Sequence, residues 1–408
     1  MESQSNTLPY VNVIPDPDRC HKSRPFLLME GGPLYEIEKR IRKIHATAPL
    51  TKRRALGAVC ITWLPLLVIT LLQGTAFGGV NIPFFRDFSA HSRFLIALPM
   101  LLVVELVLAP RIAEAAEQFL LAGVVTSKDY KQFDAAIDDG LRLRDSKTAE
   151  FVMVILSFAF TFMSYRTLAV HTSTWYSSAM PDGSYVLTGA GWWQLLVCVP
   201  LLQFLVLRWV WRIVLWFRFL ARVSKFDLKL FGTHPDAAGG LGFIGEAQRF
   251  FGLFLFSYSC GVTGVLANEL LYGGVKLEQL APPIVAYAVF CFLFAALPLI
   301  VFTPKLLVTK RQSLHQYGTL ATAYTDSFQR RWIKGDNPEH EALLGSSDIQ
   351  SLADLGNSFH IIQEMKPLPI APKDLFKLIA MALLPMASLL LSVMSPKELL
   401  ELLMKVVV

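Results

Sequence analysis

Apolar positions along this chain gather into six long runs separated by polar segments, and each run approaches or exceeds the length of a membrane-crossing helix. The runs are ALGAVCITWLPLLVITLLQG from Ala55, FLIALPMLLVVELVLA from Phe94, FVMVILSFAFTFMSY from Phe151, WWQLLVCVPLLQFLVL from Trp192, FFGLFLFSYSCGVTGVLANELL from Phe250 and IVAYAVFCFLFAALPLIVF from Ile284. About 20 apolar residues carry a helix across about 30 Å of hydrocarbon. A seventh run, LFKLIAMALLPMASLLLSVM from Leu375, has a short uncharged part and contains Pro385, which removes an N–H donor from a helix interior. Residues 375–394 therefore read as either a seventh span or a re-entrant segment. The pattern predicts an all-α, polytopic integral membrane protein with about six to seven transmembrane helices plus cytoplasmic amphipathic helices.

The connections divide by charge. Lys and Arg number ten in residues 1–54, six in 110–148, five in 214–250 and nine in 304–377, against two in 76–93, none in 171–191 and one in 272–283. Cytoplasmic loops carry the Lys/Arg excess, so the N-terminus and every even connection are expected on the cytoplasmic side of an inner (plasma) membrane of bacterial type. The expected order is a cytoplasmic arm over 1–54, spans one and two over 55–109, a cytoplasmic helical segment over 110–148 and spans three and four over 149–213, with an outward loop at 171–191. A cytoplasmic loop over 214–250, spans five and six over 251–303, and cytoplasmic helices over 304–374 follow. In the outward loop, Pro181 to Gly183 is a turn signal between β-prone segments and predicts a small hairpin. Trp175, Trp192 and Trp193 fit an interfacial aromatic belt.

Helical periodicity continues outside the apolar runs. Leu314, Tyr317, Ala321, Tyr324 and Phe328 form one stripe, and Ile349, Leu352, Leu355, Phe359 and Ile362 form another, so two amphipathic helices are predicted. Ser347 and Gln350 have the spacing of a capping box at the start of the second. These helices, PLYEIEKRIRKI near the N-terminus and the stretch from Ala113 to Arg144 either build a layer under the bundle or lie separately on the lipid surface. Residues 395–408 read as a last amphipathic helix.

Composition narrows the function classes. With 53% hydrophobic and 17% charged residues and a mean hydropathy of +0.46, the chain is far more apolar than a soluble domain. The formal net charge of +6 is distributed by membrane side instead of clustering in one domain, so no nucleic-acid partner is expected. The N-terminus lacks the basic start and short apolar core of a signal peptide, and no cleavage is expected. Cys60, Cys198, Cys260 and Cys291 lie in apolar runs and Cys20 in the polar arm, without metal-ligand spacing, so they read as packing residues. No histidine lies mid-span, and GxSxG, P-loop and HExxH patterns are absent. No metal or cofactor is expected, and no internal repeat of the kind found in secondary transporters is evident.

Three groups of residues remain as candidates for chemistry. The first is LFGTHPDAAGGLGFIGEAQRFF, from Leu230, between the fourth and fifth spans. Its GLGFIG matches GxGxxG only formally, because no strand precedes it. Gly239, Gly240 and Gly242 before a helix offer backbone N–H groups to an anion, flanked by Thr233, His234 and Asp236. The same residues also read as a turn capped by Asp236, or as a His/Asp pair that could supply part of a metal site or a general base. The second group is charge within the spans, where an ionisable group costs roughly 2.5–3.5 kcal/mol. Glu105 and Arg208 form one candidate pair, and Arg166 and Glu269 an outer one near Asn268. They read as an ion or proton path or as structural ion pairs. The third is the stripe of Arg208, Arg212, Arg218 and Arg222, interleaved with Trp209, Trp211 and Trp216. Arg212, Arg218 and Arg222 fit contacts to anionic lipid headgroups or plain positive-inside anchoring.

These features support three functional readings. A channel or transporter of a small solute or ion rests on the spans and their charges. A membrane scaffold or sensor rests on the cytoplasmic helices, with a homo-oligomer or a cytoplasmic protein as partner. An enzyme on a lipid-linked substrate rests on His234 and Asp236 at the inner leaflet.

Overall fold

Two of the spans are much longer than the membrane they cross, and they set the plan of the molecule. The computed structural model describes residues 23–33, 48–168, 174–180, 185–334 and 346–392. In chain order these form α1 (Ala48–Leu72), α2 (Phe88–Leu121), α3 (Tyr130–Arg144), α4 (Lys147–Leu168), β1 (Ser177–Ala179), β2 (Tyr185–Leu187), α5 (Gly189–Val223), α6 (Gly242–Arg249), α7 (Gly252–Tyr272), α8 (Ala281–Ile300), α9 (Thr303–Phe328), α10 (Ser347–Glu364) and α11 (Pro372–Leu383). Among the described residues, six segments are long and apolar enough to cross a membrane: they lie in α1, α2, α4, α5, α6 with α7, and α8. The protein is thus all-α and polytopic. Large apolar side chains such as Ile61, Val68, Phe158, Phe162, Val289 and Leu293 face outward, as lipid contact requires.

The run from Leu375 is not one of these six. Helix α11 has 12 residues and gives way at Leu384 to 3-10 turns that reach Ser392. Twelve α-helical residues rise about 18 Å and the nine 3-10 residues about as much again, while Pro385 supplies no N–H to continue the α ladder. Helix α11 packs on α7 and α8.

Helices α2 and α5, with 34 and 35 residues, are about 50 Å long at 1.5 Å per residue. They share a construction. Asp87 accepts from Ala90 N at one start, and Thr188 from Gly191 N at the other. A π-turn follows in each, Ser92–Ala97 and Gln194–Cys198, and then Pro99 or Pro200, twelve residues after its cap. A proline ring crowds the carbonyl four residues back, and the wider turn relieves that clash. No repeat is evident from apolar periodicity, because cap and proline are polar or punctuating positions.

Both long helices continue past the membrane into the end of the bundle that carries α3, α6, α9 and α10, here termed the basic end. Its core is aromatic: Phe119 lies 4.9 Å from Phe243, 6.2 Å from Phe219 and 6.3 Å from both Phe133 and Phe302. Residues 23–33 run into this layer as a strap. Phe26 stacks on Phe219 at 4.6 Å, while Arg144 Nη1 donates to Leu27 O at 2.6 Å and Gly32 N donates to Asp145 Oδ1 at 2.9 Å.

The two amphipathic stripes meet each other instead of lipid. Helices α9 and α10 pack as an antiparallel pair, with Leu314, Tyr317, Ala321, Tyr324 and Phe328 half-buried opposite Leu352, Leu355 and Phe359. The N-cap of α10 is Ser346, one residue before the expected Ser347, and Gln350 bonds Asp354 at 2.9 Å in place of a capping box. At the other end of the bundle, β1 and β2 pair antiparallel with Ser177 opposite Leu187. Trp192 is exposed. Trp175 does not join an aromatic belt: it is buried, because its indole N–H donates to Asp87 Oδ2 at 2.7 Å. The turn at Pro181 to Gly183, most of PLYEIEKRIRKI and the helix expected over 395–408 lie outside the described residues.

Helix α7 sits directly on the start of α2. A Cβ on Gly264 would overlap Ser92 Oγ and stand 2.6 Å from Phe88 O, whereas one on Gly57 of α1 meets nothing within 4 Å. Gly264→Ala is expected to destabilise the bundle by about 1–3 kcal/mol and Gly57→Ala to be neutral or stabilising, read as thermal unfolding in detergent; equal effects would contradict this packing.

Candidate functional site

The strongest concentration of charge lies where α1 begins, on the inner faces of α2 and α5. Glu105 of α2 is 8% exposed. Its Oε1 receives Arg212 Nη1 at 2.7 Å and has Arg208 Nη1 at 4.0 Å, and its Oε2 receives Arg54 Nη1 at 3.2 Å. Arg208 also donates through Nη2 to Gly31 O of the strap at 3.3 Å. One carboxylate therefore joins three helices and the N-terminal strap. Trp209, beside this stripe, donates to Leu101 O at 3.0 Å and fixes α5 against α2.

The arginine stripe divides as it leaves the membrane. Arg208 and Arg212 turn inward and are 5% and 2% exposed, so both face the bundle interior. Arg222 pairs with Asp139 of α3 at 2.5 Å, and this hydrogen bond holds the Asp139 carboxyl below its ordinary range. Arg218 is exposed. A helical turn of 100° per residue spreads these four side chains over about a third of the circumference. That is wide enough for one edge to face Glu105 and the other α3.

At the opposite end, the hub is Asp87. Its Oδ1 accepts from Asn268 Nδ2 at 2.7 Å and from Ala90 N at 3.0 Å, while Oδ2 accepts from Trp175. Asn268 thus contributes through Asp87, and Glu269 is exposed on α7. The side chain of Arg166 lies outside the described residues. Between Asp87 and Glu105, the inward face of α2 presents Phe94, Leu98 and Leu101, each no more than 1% exposed. On this helix an apolar stretch separates the two polar clusters, while the neighbouring spans bury Thr62, Thr161, Ser257, Ser259 and Thr263.

The loop after α5 is organised by its own acid. Asp236 Oδ2 accepts from Gly242 N at 2.8 Å and Gly240 N at 3.1 Å, and Oδ1 accepts from Ala238 N at 2.8 Å. The N–H groups of Gly240 and Gly242 before α6 are thus donated to this carboxylate. Gly239 and Gly240 have φ of 68° and 95°, a left-handed turn that glycine makes without strain. His234 Nδ1 lies 2.8 Å from Asp236 Oδ1 and its ring is partly exposed; Thr233 is half-buried. Partial burial raises the Asp236 carboxyl, but the N–H groups of Ala238, Gly242 and Gly240 together with His234 outweigh it and hold the group below its ordinary range.

Two members of these clusters are hard to find from sequence. Arg54 stands beside Lys52 and Arg53 and reads as one more basic residue before a span. Asp87 lies in a loop, where its only signal is an N-cap position before the second span. No group of three or more His, Cys, Asp or Glu side chains positioned to hold a metal occurs among the described residues. Compared with known protein families, curated proteins and solved structures, the chain matches none.

Because the Asp236 carboxyl is depressed, the stability it contributes is present above its ordinary range and is lost as pH falls through its folded value. Asp236→Asn removes that contribution at every pH. Amide hydrogen exchange at Gly240 and Gly242 at neutral pH should quicken about tenfold or more, from the loss of charge-assisted hydrogen bonds; unchanged rates would contradict the role assigned to Asp236.

Proposed function

We propose that this protein is a membrane-embedded scaffold that presents the α9–α10 pair to a cytoplasmic protein partner. The observation that carries this reading is the way the pair is fastened at one end and open at the other. At its base, Thr303 Oγ1 donates to Pro367 O at 2.9 Å, Lys310 Nζ donates to Gln363 O at 2.7 Å and Met365 O at 2.9 Å, and Lys305 Nζ bonds Phe226 O. After Ser313, no described residue of α9 is buried, and in α10 only Ile362 is.

Only Val301 and Phe302 separate α8 from α9, and α10 returns through residues 365–371 to α11, which packs on α7 and α8. The arm is therefore joined at both roots to the fifth and sixth spans. The excess of Lys and Arg at this end supports a cytoplasmic location. Conduction or transport, the other reading of the intramembrane charges, calls for mobile or hydrated charges; the engagement of Glu105 by arginines and the apolar inward face of α2 at Phe94, Leu98 and Leu101 support the scaffold.

Replacing residues 319–358 with a short Gly/Ser linker removes the free part of the arm where Gly318 already approaches Phe359. The shortened protein should insert and keep its unfolding temperature within about 4 °C, yet fail to complement loss of the full-length protein in its host. Full complementation by the shortened chain would overturn the reading.

A further inference from the structure

Arg208, Arg212 and Trp216 follow one another at intervals of four on α5, so their side chains lie along one stripe. They are 5%, 2% and 0% exposed. Each keeps one buried N–H group without a hydrogen-bond partner among the described residues: Arg208 Nη1, Arg212 Nη2 and Trp216 Nε1. Buried polar atoms of this kind are rare, and here all three are donors. What the stripe lacks is an acceptor.

Negative charge is short at the same place. Arg208 and Arg212 share the single carboxylate of Glu105. Among the described residues, two buried guanidinium groups face one acid. A water molecule would accept hydrogen bonds but would not balance that charge, whereas an oxyanion does both. Guanidinium groups match the geometry of phosphate oxygens, and the indole adds a neutral donor.

We propose that Arg208, Arg212 and Trp216 bind a phosphate-class oxyanion beneath the strap of residues 23–33. The strap closes the site: Phe26 lies 6.3 Å from the Trp216 ring and Gly31 O accepts from Arg208. The cluster lies level with Arg54, where the first span opens, which is headgroup depth. The oxyanion is either the phosphodiester of an anionic lipid or a free phosphate. This site is independent of the scaffold reading.

The test uses the full-length protein, delipidated in detergent, titrated with sodium phosphate against sodium chloride at constant ionic strength, and in parallel placed in nanodiscs of phosphatidylglycerol or phosphatidylcholine. A saturable rise of about 5 °C in unfolding temperature with phosphate but not chloride identifies a free phosphate. Stabilisation confined to phosphatidylglycerol, with that lipid retained in native mass spectra, identifies a headgroup. In either case Trp216→Phe, which keeps the ring packing, should weaken binding about tenfold, and Arg208→Lys should weaken it as well. No stabilisation by either source, or binding by both variants as tight as in the wild type, overturns the proposal.

Discussion

A carboxylate buried inside a helical bundle stays charged only if cations surround it, and the architecture of this protein turns on the way Glu105 meets that requirement. Its partners come from different places: Arg212 and Arg208 from α5, Arg54 from the first turns of α1. Removing one member of such a cluster leaves uncompensated buried charge, which is costly even where the intact cluster adds little net stability. The cluster therefore acts chiefly on specificity. It fixes the relative rotation of α1, α2 and α5, and Arg208 extends that control to the strap through Gly31 O.

From that fixed junction the two long helices become posts. Their N-terminal ends are capped and proline-marked in the same way, and Asp87 ties the first post to Trp175 and to Asn268 of α7. Their other ends leave the membrane and nucleate an aromatic core around Phe119, of the sort found in soluble domains. The Asp236 turn, the strap and the roots of α9 and α10 assemble on that core. The α9–α10 pair thus rises from a platform whose position is set within the bundle.

The six spans are legible in the sequence because lipid-facing apolar side chains leave long runs, as Phe151 to Tyr165 does. The amphipathic stripes are legible too, but their partner is not: periodicity marks an apolar face without saying whether lipid or another helix covers it. Glu105 and Arg208 stand out as charges within apolar runs. Arg54 is hidden among neighbouring basic residues, and its role depends on a contact 51 positions away. The short form of α11 follows from Pro385, a signal open to more than one reading until the packing against α7 and α8 is known. The glycines before α6 advertise exposed N–H groups, and only the folded turn shows Asp236 accepting them.

The most direct test of this account is a double-mutant cycle between Glu105 and Arg212, using Glu105→Gln and Arg212→Gln and reading unfolding free energy in a single detergent. Glu105→Gln alone is expected to cost about 3–5 kcal/mol, and the two residues to couple by at least about 2 kcal/mol. Single losses that simply add, with coupling below about 0.5 kcal/mol, would contradict the claim that this ion cluster organises the bundle.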